Sequence, residues 1–395
     1  MDTAQLTSTR LNSKTPTTTG YFVGFIFLGM ATAALGPTLT DLAENTGTGF
    51  SQISYLFAAR SLGYLLGANQ VGRLYDRLPG HLIMGTGLLG MGAMLFFTPL
   101  IPILWLLVLA MLLLGLGESM LDVGGNTLLV WLHGDKVGPF MNALHFFFGL
   151  GAAISPLIIA QVVAQTGDIT WAYWTLALCT LPVLFWLVRL PSPVIRRESE
   201  TSGEARRVNQ RLVLLFAAFF FLYVGAEGGF GGWITSYTKA LNITTDLMAR
   251  YLTSVFWGAL TVGRLLTIPI AAKVRPRTIL AAALAGCLLS VAVIIIWPTS
   301  LTAIWVGTLG MGLANAPIFP LTISLAERRL QLTGQITGRF FVGASLGGMS
   351  VPWLIGQFFD RIGPGVTMAI ISFDLLLAVA IFVALLIYSK PVQNS

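Results

Sequence analysis

The sequence predicts an all-α, polytopic membrane protein with 12 transmembrane helices in two six-helix bundles. The prediction depends on an apolar composition, on twelve long apolar runs and on the placement of the basic residues. Of the 395 residues, 55% are hydrophobic and only 10% are charged. A soluble protein of this size could not bury so much apolar surface in its core, so most of its surface must face lipid.

Each apolar run is long enough to cross a bilayer, which takes about 20 mostly apolar residues in an α-helix. The runs cover roughly 20–42, 52–75, 81–100, 102–130, 137–163, 169–190, 211–238, 247–272, 277–297, 300–325, 333–358 and 365–389. Outer-membrane barrels show short alternating segments instead, which argues against a barrel. The first run is too long for a signal-peptide core, so we interpret it as a retained span.

Basic residues set the predicted orientation, because cytoplasmic connections of membrane proteins are enriched in Lys and Arg. With the N-terminus in the cytoplasm, the outer connections hold only Lys239, Arg250 and Arg361. The sequence therefore predicts a multi-pass protein of the plasma membrane, the inner membrane of a bacterium, with both termini cytoplasmic. This placement also accounts for the net charge of +7 without a nucleic-acid partner.

The longest polar stretch, RRESETSGEARR at 196–207, falls between the sixth and seventh runs. Its composition is typical of a solvated linker. The predicted organisation is a cytoplasmic N-terminal tail (1–19), an N-terminal six-helix bundle (20–190), a cytoplasmic linker (191–210), a C-terminal six-helix bundle (211–389) and a cytoplasmic C-terminal tail (390–395).

The two halves show a weak internal repeat when the sequence is shifted by 196 residues. The aligned pairs are Gly29 with Gly225, Gly36 with Gly232, Tyr55-Leu56 with Tyr251-Leu252, and Gly67 with Gly263. Chance matching among Gly-rich apolar helices is the alternative. A parallel repeat of six helices is the plan of two-domain secondary transporters, whose substrate sites lie between the halves near the bilayer midplane.

Two carboxylates interrupt the fourth apolar run, in GLGESMLDVGGNTLLVW at 115–131. Glu118, Asp122 and Asn126 recur at i, i+4 and i+8 and therefore share one helical face. A charge at mid-bilayer costs roughly 2.5–3.5 kcal/mol on insertion scales, so this face should contact protein or water. Glu118 is the first candidate for an ion-coupling carboxylate, followed by Asp122; a structural ion pair and a solvated position are the alternatives.

Other polar residues inside the apolar runs are candidates for substrate binding. Asn142 and His145 lie near the start of the fifth run, at a depth similar to that of Glu118. An amide both donates and accepts hydrogen bonds, as a sugar hydroxyl requires. The candidate substrate-binding residues are Asn126, Asn142, His145, Glu227, Trp257 and Asn315. Asn126 could instead hold helices together, and His145 and Trp257 could be structural.

Two arginines, Arg60 and Arg264, lie inside apolar runs and each needs a carboxylate, a carbonyl or water as a partner. Glu227 with Arg264 is one possible pair. Asp374, in the last run, is interpreted as structural, and Asp41 is expected at the outer rim of the first helix.

The connection after the second run, VGRLYDRLPGH at 71–81, resembles the G-x-x-x-D-R-x-x-G signature of the major facilitator superfamily. The matching residues are Gly72, Asp76, Arg77 and Gly80. The resemblance implies the two-bundle major facilitator fold. It also implies a gating role for Gly72, Asp76 and Arg77, in which the Asp and Arg side chains pair with neighbouring helix ends and hold the cytoplasmic gate.

Narrower resemblances concern the first half of the chain. LGPTLTDL at 35–42 looks like the first helix of the sodium-dependent glucose transporter branch. GESMLDVGGNTLLV at 117–130 resembles the fourth helix of the fucose permease family, and FMNALHFFFGLGAAISP at 140–156 resembles the fifth helix of both. The chain departs from the fucose permeases in the first helix, where Pro37 aligns with their Asp.

These resemblances imply a secondary active transporter that moves a small neutral solute, a sugar such as a hexose, by symport with H⁺ or Na⁺. The expected partners are that sugar and the lipid bilayer, with no cofactor, no metal and no catalytic residue, and the expected state is a monomer. An exporter of drugs or amphipathic metabolites is the alternative within the superfamily. A polytopic membrane enzyme is disfavoured, because the sequence contains neither a G-x-x-x-x-G-K-[ST] nucleotide loop nor an H-E-x-x-H motif.

Overall fold

The computed structural model describes residues 3–193, 209–330 and 333–388, and these segments are almost entirely helical. The helices are α1 (Thr3–Thr46), α2 (Phe50–Ile53), α3 (Tyr55–Tyr75), α4 (Gly80–Phe97), α5 (Leu104–His133), α6 (Gly138–Thr166), α7 (Ile169–Arg189), α8 (Gln210–Ala240), α9 (Asp246–Ala271), α10 (Pro276–Ile296), α11 (Leu301–Asn315), α12 (Ile318–Glu327), α13 (Gly334–Ile362) and α14 (Val366–Tyr388). Within these ranges no strand is present, in agreement with the all-α prediction.

The twelve predicted apolar runs correspond to twelve helical passes, because two passes consist of two helices each. α2 and α3 share one pass, and α11 and α12 share another. The second break falls at Pro317, which has no N–H to continue the helical ladder. Ten passes are long and apolar enough to qualify as membrane spans on composition alone. The other two contain α3 and α13, which carry polar side chains toward the interior of the protein.

The first helix begins earlier than the apolar run that predicted it. α1 starts at Thr3, so most of the segment 1–19 continues the helix. Hydropathy marks only the part of a helix that contacts lipid, whereas backbone hydrogen bonds can extend the helix into water. Of the other predicted connections, 194–208 and 389–395 lie outside the described residues.

Close helix crossings repeat in the two halves at equivalent glycines. In the first half, a Cβ at Gly29 would overlap the carbonyl oxygen of Phe148, which joins α1 to α6. In the second half, a Cβ at Gly347 would overlap the carbonyl oxygen of Phe221, which joins α13 to α8. Gly151, which lies 196 residues before Gly347, is equally close to the backbone of α1. Close helix crossings at glycine therefore occur at equivalent positions in both bundles.

The axis that relates the halves passes between α1 and α8. Gly36 and Gly232 are equivalent under the 196-residue shift, and a Cβ built at Gly36 would lie 3.2 Å from the Cα of Gly232. Thr40 and Ser236 are also equivalent, and their hydroxyl oxygens are 3.5 Å apart. Equivalent residues that contact each other must lie beside the two-fold axis. The internal repeat is therefore a feature of the three-dimensional structure.

The glycine crossings make a stability prediction. Gly347→Ala should lower the free energy of unfolding by about 1–3 kcal/mol, because α13 must move away from α8 to admit the methyl group. The control is Gly90→Ala on α4, where a Cβ would meet open space. Thermal unfolding in detergent measures both variants, and equal stability of the two would contradict the predicted packing.

Candidate functional site

A cavity of about 830 Å³ lies between the two halves and contains most of the predicted site residues. Its walls come from α1, α3, α5 and α6 on one side and from α8, α9, α12 and α13 on the other. Most of the lining is apolar. The ionisable side chains in the walls are Arg60, Glu118, Asp122, His145, Glu227 and Arg264, together with the phenols of Tyr64 and Tyr223.

Glu118 is neutralised by an arginine from the neighbouring helix. Arg60 donates from Nε to Oε2 and from Nη2 to Oε1 of Glu118, both at 2.8 Å. The third nitrogen of Arg60 donates to the carbonyl oxygen of Thr32 at 3.0 Å. The two side chains are 15% and 4% exposed. This bidentate pair matches the structural alternative considered for Glu118, since each buried charge compensates the other.

Asp122 lies one turn further along α5 and receives hydrogen bonds from neutral donors. The Tyr64 hydroxyl donates to its Oδ2, and the Asn126 amide donates to its Oδ1 at 3.0 Å. Among the residues that the structure describes, no ion pair includes Asp122. Asn126 is not part of the cavity wall, and its amide also donates to the Asp122 carbonyl at 2.9 Å. Asn126 thus orients the Asp122 carboxylate without itself lining the cavity.

Asn142 and His145 line the cavity from α6, on the same half as Asp122. Both side chains are exposed to the cavity. One edge of the His145 ring faces Phe25, with ring centroids 6.1 Å apart. The structure therefore places an amide, an imidazole and two carboxylates of the first half in the wall of one cavity.

The second half presents a separate polar cluster around Glu227. The Tyr223 hydroxyl donates to Glu227 Oε2, and Asn315 Nδ2 donates to the same oxygen at 3.2 Å. Asn315 is fully buried behind Glu227, at the break between α11 and α12, and does not line the cavity. Trp257 does line it and is 8% exposed.

The suggested ion pair between Glu227 and Arg264 is not formed. The ion pairs within 4.0 Å in the described part of the chain do not include either residue. Arg264 lines the cavity, and its Nε is buried without a hydrogen-bond partner. Both side chains line the same cavity, and no ion pair bridges the space between them.

Two tyrosines of the site were missed in the sequence. Tyr223 precedes Glu227 by four residues, and Tyr64 follows Arg60 by four residues, so helical spacing places each beside an ionisable residue. A search for polar residues at i±4 from intramembrane charges could have found both. Each phenol now donates to a carboxylate in the cavity wall.

The sequence from 21 to 352 matches the family model described as Major Facilitator Superfamily. The chain belongs to the major facilitator superfamily. The resemblance seen at Gly72, Asp76 and Arg77 is thereby confirmed at the level of the family.

Relatives of known name support the narrower branch. The chain is 30% identical over 372 residues to sodium-dependent glucose transporter 1A of Mus musculus, which covers 85% of this chain and 88% of that protein. It is 31% identical to sodium-dependent glucose transporter 1 of Xenopus laevis, over 83% of this chain and 72% of that protein.

Solved transporter structures share the fold at low sequence identity. A D-xylose-proton symporter superposes with a TM-score of 0.74 at 14% identity, covering 93% of this chain and 97% of the symporter. The nucleoside transporter NupG superposes with a TM-score of 0.72, also at 14% identity, over 95% and 98% of the two chains. The two-bundle major facilitator fold is therefore confirmed.

A buried arginine joins the two halves and closes one end of the cavity between them. Arg250 of α9 is 1% exposed and donates to both carboxylate oxygens of Asp41 in α1, at 2.8 and 3.1 Å. It also donates to Asp246 at 2.8 Å and to the carbonyl oxygen of Pro37. These contacts lie at the end of the bundle opposite the termini.

A second set of contacts closes the same end between α2, α3 and α13. The Ser51 amide donates to Asp360 Oδ2 at 2.9 Å. Gln357 Nε2 donates to the Ser51 carbonyl at 2.7 Å and to Ser54 Oγ at 3.1 Å. The halves are therefore joined by hydrogen bonds at both sides of the axis on this face.

The cavity continues toward the opposite face, where the termini lie. Its lining reaches Asn142 in the second turn of α6 and Ala271 at the end of α9. The family's signature connection is on this face, and Gly72, Asp76 and Arg77 are exposed. Within the described residues, no ion pair includes the Asp76 or Arg77 side chain. The lining of the cavity thus extends toward the side of the termini, and the hydrogen bonds described above close the opposite end.

Proposed function

We propose that this chain is a secondary active transporter that carries a small neutral sugar, such as a hexose, by alternating access. The observation that carries the proposal is a cavity between two matching bundles whose mostly apolar wall carries a few ionisable side chains, closed by buried hydrogen bonds at one end and open at the other. Relatives named sodium-dependent glucose transporter support the cargo class. The proposed location is a plasma membrane with both termini cytoplasmic, so that the open end of the cavity faces the cytoplasm. The proposed functional unit is a monomer.

The walls of the cavity offer suitable contacts for a sugar. Hydroxyl groups both donate and accept, and Asn142, Glu227 and Arg264 supply both kinds of partner. Trp257 offers a flat apolar face against which a sugar ring can pack. We infer that the cargo fills the gap between Glu227 and Arg264, which the side chains themselves leave open.

The charges in the cavity wall support a binding site for the coupling ion. Three carboxylates face two guanidinium groups, so one bound monovalent cation would make the lining neutral. Arg60 already compensates Glu118, and Arg264 lines the cavity from the same half as Glu227. We therefore propose that Asp122, rather than Glu118, binds the H⁺ or Na⁺.

Transport into proteoliposomes tests this function. Purified protein is reconstituted, and uptake of labelled D-glucose is measured under an inward Na⁺ gradient, an inward H⁺ gradient and no gradient. We expect concentrative uptake under one gradient, which also identifies the ion. Absence of uptake for glucose and for a panel of other hexoses and pentoses under all three conditions would overturn the proposal.

A second candidate function has one observation in its favour. Apart from Asn142, the cavity wall holds no side-chain amide among the described residues, and phenylalanine and leucine side chains form much of it. Such a lining also fits amphipathic molecules. The same proteoliposomes, loaded with a fluorescent amphipathic cation, would reveal export by gradient-dependent loss of the dye.

A further inference from the structure

A second cavity, of about 450 Å³, opens on the outer surface of the second half, between α8, α13 and α14. Its lining is apolar apart from one residue, Arg339. Leu214, Val342 and Leu377 line it and are 70%, 43% and 41% exposed. Because α8 and α13 cross a membrane, this surface groove faces the hydrocarbon of the bilayer rather than water.

The groove spans most of the depth of one bilayer leaflet. On α8 it extends from Leu214 to Leu222, which is about 12 Å at 1.5 Å per residue. On α13 it extends from Arg339 to Leu346, about 10 Å by the same rise. One leaflet contributes about 15 Å of hydrocarbon. Both stretches begin near the helix ends on the side of the termini, so the groove belongs to that leaflet.

Arg339 lies at the end of the groove nearest the membrane surface. Its side chain is exposed, and Nη1 donates to Gln210 Oε1 at 2.7 Å. Among the described residues, no carboxylate pairs with it. A guanidinium has five N–H donors, so this contact leaves donors free for a planar or tetrahedral anion.

We propose that this groove binds an anionic glycerophospholipid from the leaflet on the side of the termini. One acyl chain lies along α8, α13 and α14, and the phosphate accepts hydrogen bonds from Arg339. The apolar lining accepts an alkyl chain, and the single cation at the surface end complements a phosphate. This site is separate from the transport cavity and does not depend on the identity of the cargo.

The position of the groove gives the bound lipid a way to influence the transport cavity. Phe341 and Ser345 of α13 line the transport cavity, whereas Val342 and Leu346 of the same helix line the groove. A lipid that contacts both α13 and α14 should stabilise the packing of α13, the helix that lines both the groove and the transport cavity. We therefore expect the lipid to raise the thermal stability of the purified protein.

Native mass spectrometry of the delipidated full-length protein tests the site, with phosphatidylglycerol and phosphatidylcholine as the added lipids. We expect one phosphatidylglycerol to bind more tightly than phosphatidylcholine. Arg339→Gln should weaken phosphatidylglycerol binding at least about tenfold, because a charge-assisted hydrogen bond is lost. Ala218→Phe, which fills the groove, should prevent binding of both lipids.

Matched controls place the same changes elsewhere on the lipid-facing surface. Arg189→Gln removes an exposed arginine at the end of α7, and Leu289→Phe enlarges a side chain on α10 that is 67% exposed. Both should bind lipid as the unmodified protein does. Equal affinity for the two lipids, or full binding by Arg339→Gln, would overturn the proposal and leave only non-specific annular lipid.

Discussion

Asp122→Asn is expected to abolish gradient-driven accumulation of sugar while preserving sugar exchange. Asp122 has two neutral partners, Tyr64 and Asn126, and the arginine of its own half, Arg60, is bound to Glu118. Glu227 also has neutral partners, but it shares its half of the cavity with Arg264, which forms no ion pair among the described residues. Asparagine keeps the size of the side chain and an oxygen acceptor, but it cannot take up a proton and offers Na⁺ no negative charge. With a tenfold ion gradient, worth about 1.4 kcal/mol, the accumulation ratio should fall from about ten to about one.

Two assays on one preparation separate coupling from binding. Accumulation is measured under the ion gradient that supports uptake, and exchange is measured with equal sugar and ion on both sides. The control is Asp374→Asn, which removes a buried carboxylate that does not line the cavity and should leave both assays unchanged. Full accumulation by Asp122→Asn would exclude Asp122 as the coupling group.

Glu118 should behave differently because it belongs to an ion pair. Glu118→Gln would leave the Arg60 guanidinium largely buried and without its counterion. Breaking a buried pair from one side costs about 3–5 kcal/mol, so the expected defect is loss of folded protein. Thermal unfolding of Glu118→Gln beside Asp122→Asn distinguishes a stability role from a coupling role.

The helical passes and the shared face of Glu118 and Asp122 could be predicted because both depend on local periodicity. Lipid as solvent makes every span visible as an apolar run, and a spacing of four residues fixes a common face. The partners of these carboxylates were beyond such reasoning. Arg60 and Tyr64 each lie 58 residues from the carboxylate they contact, so the pairing depends on how α3 packs against α5.

The sequence pattern likewise does not predict which end of the cavity is closed. Asp41 was expected at the outer rim and Arg250 in an outer connection, but their contact joins residues 209 positions apart. The same sequence must also form a state in which this contact is broken if access alternates. A pattern of residue types describes both states equally, so only the three-dimensional structure identifies which end is closed.

The internal repeat indicates where the closed end can be held shut by a covalent bond. Thr40 and Ser236 are equivalent residues that contact each other beside the two-fold axis, with oxygens 3.5 Å apart. They belong to α1 and α8, one helix from each half. When the end of the cavity opposite the termini opens, the residues of the two halves near Thr40 and Ser236 must separate.

A disulfide between Thr40→Cys and Ser236→Cys is therefore expected to stop transport. The pair is introduced with Cys179 and Cys287 replaced by alanine, since both native thiols are free. Oxidation should reduce sugar uptake to the level of empty liposomes, and reduction should restore it. The physical reason is that the bond holds α1 against α8 and keeps the end of the cavity opposite the termini closed.

The matched control forms a disulfide inside one half. Thr235 and Thr253 lie on α8 and α9, and their hydroxyl oxygens are 2.9 Å apart. Thr235→Cys with Thr253→Cys should permit transport in both redox states, because the two helices move together. The extent of each cross-link is measured by the mass of the intact protein. Uptake that persists when the bond between positions 40 and 236 is complete would contradict alternating access through this end.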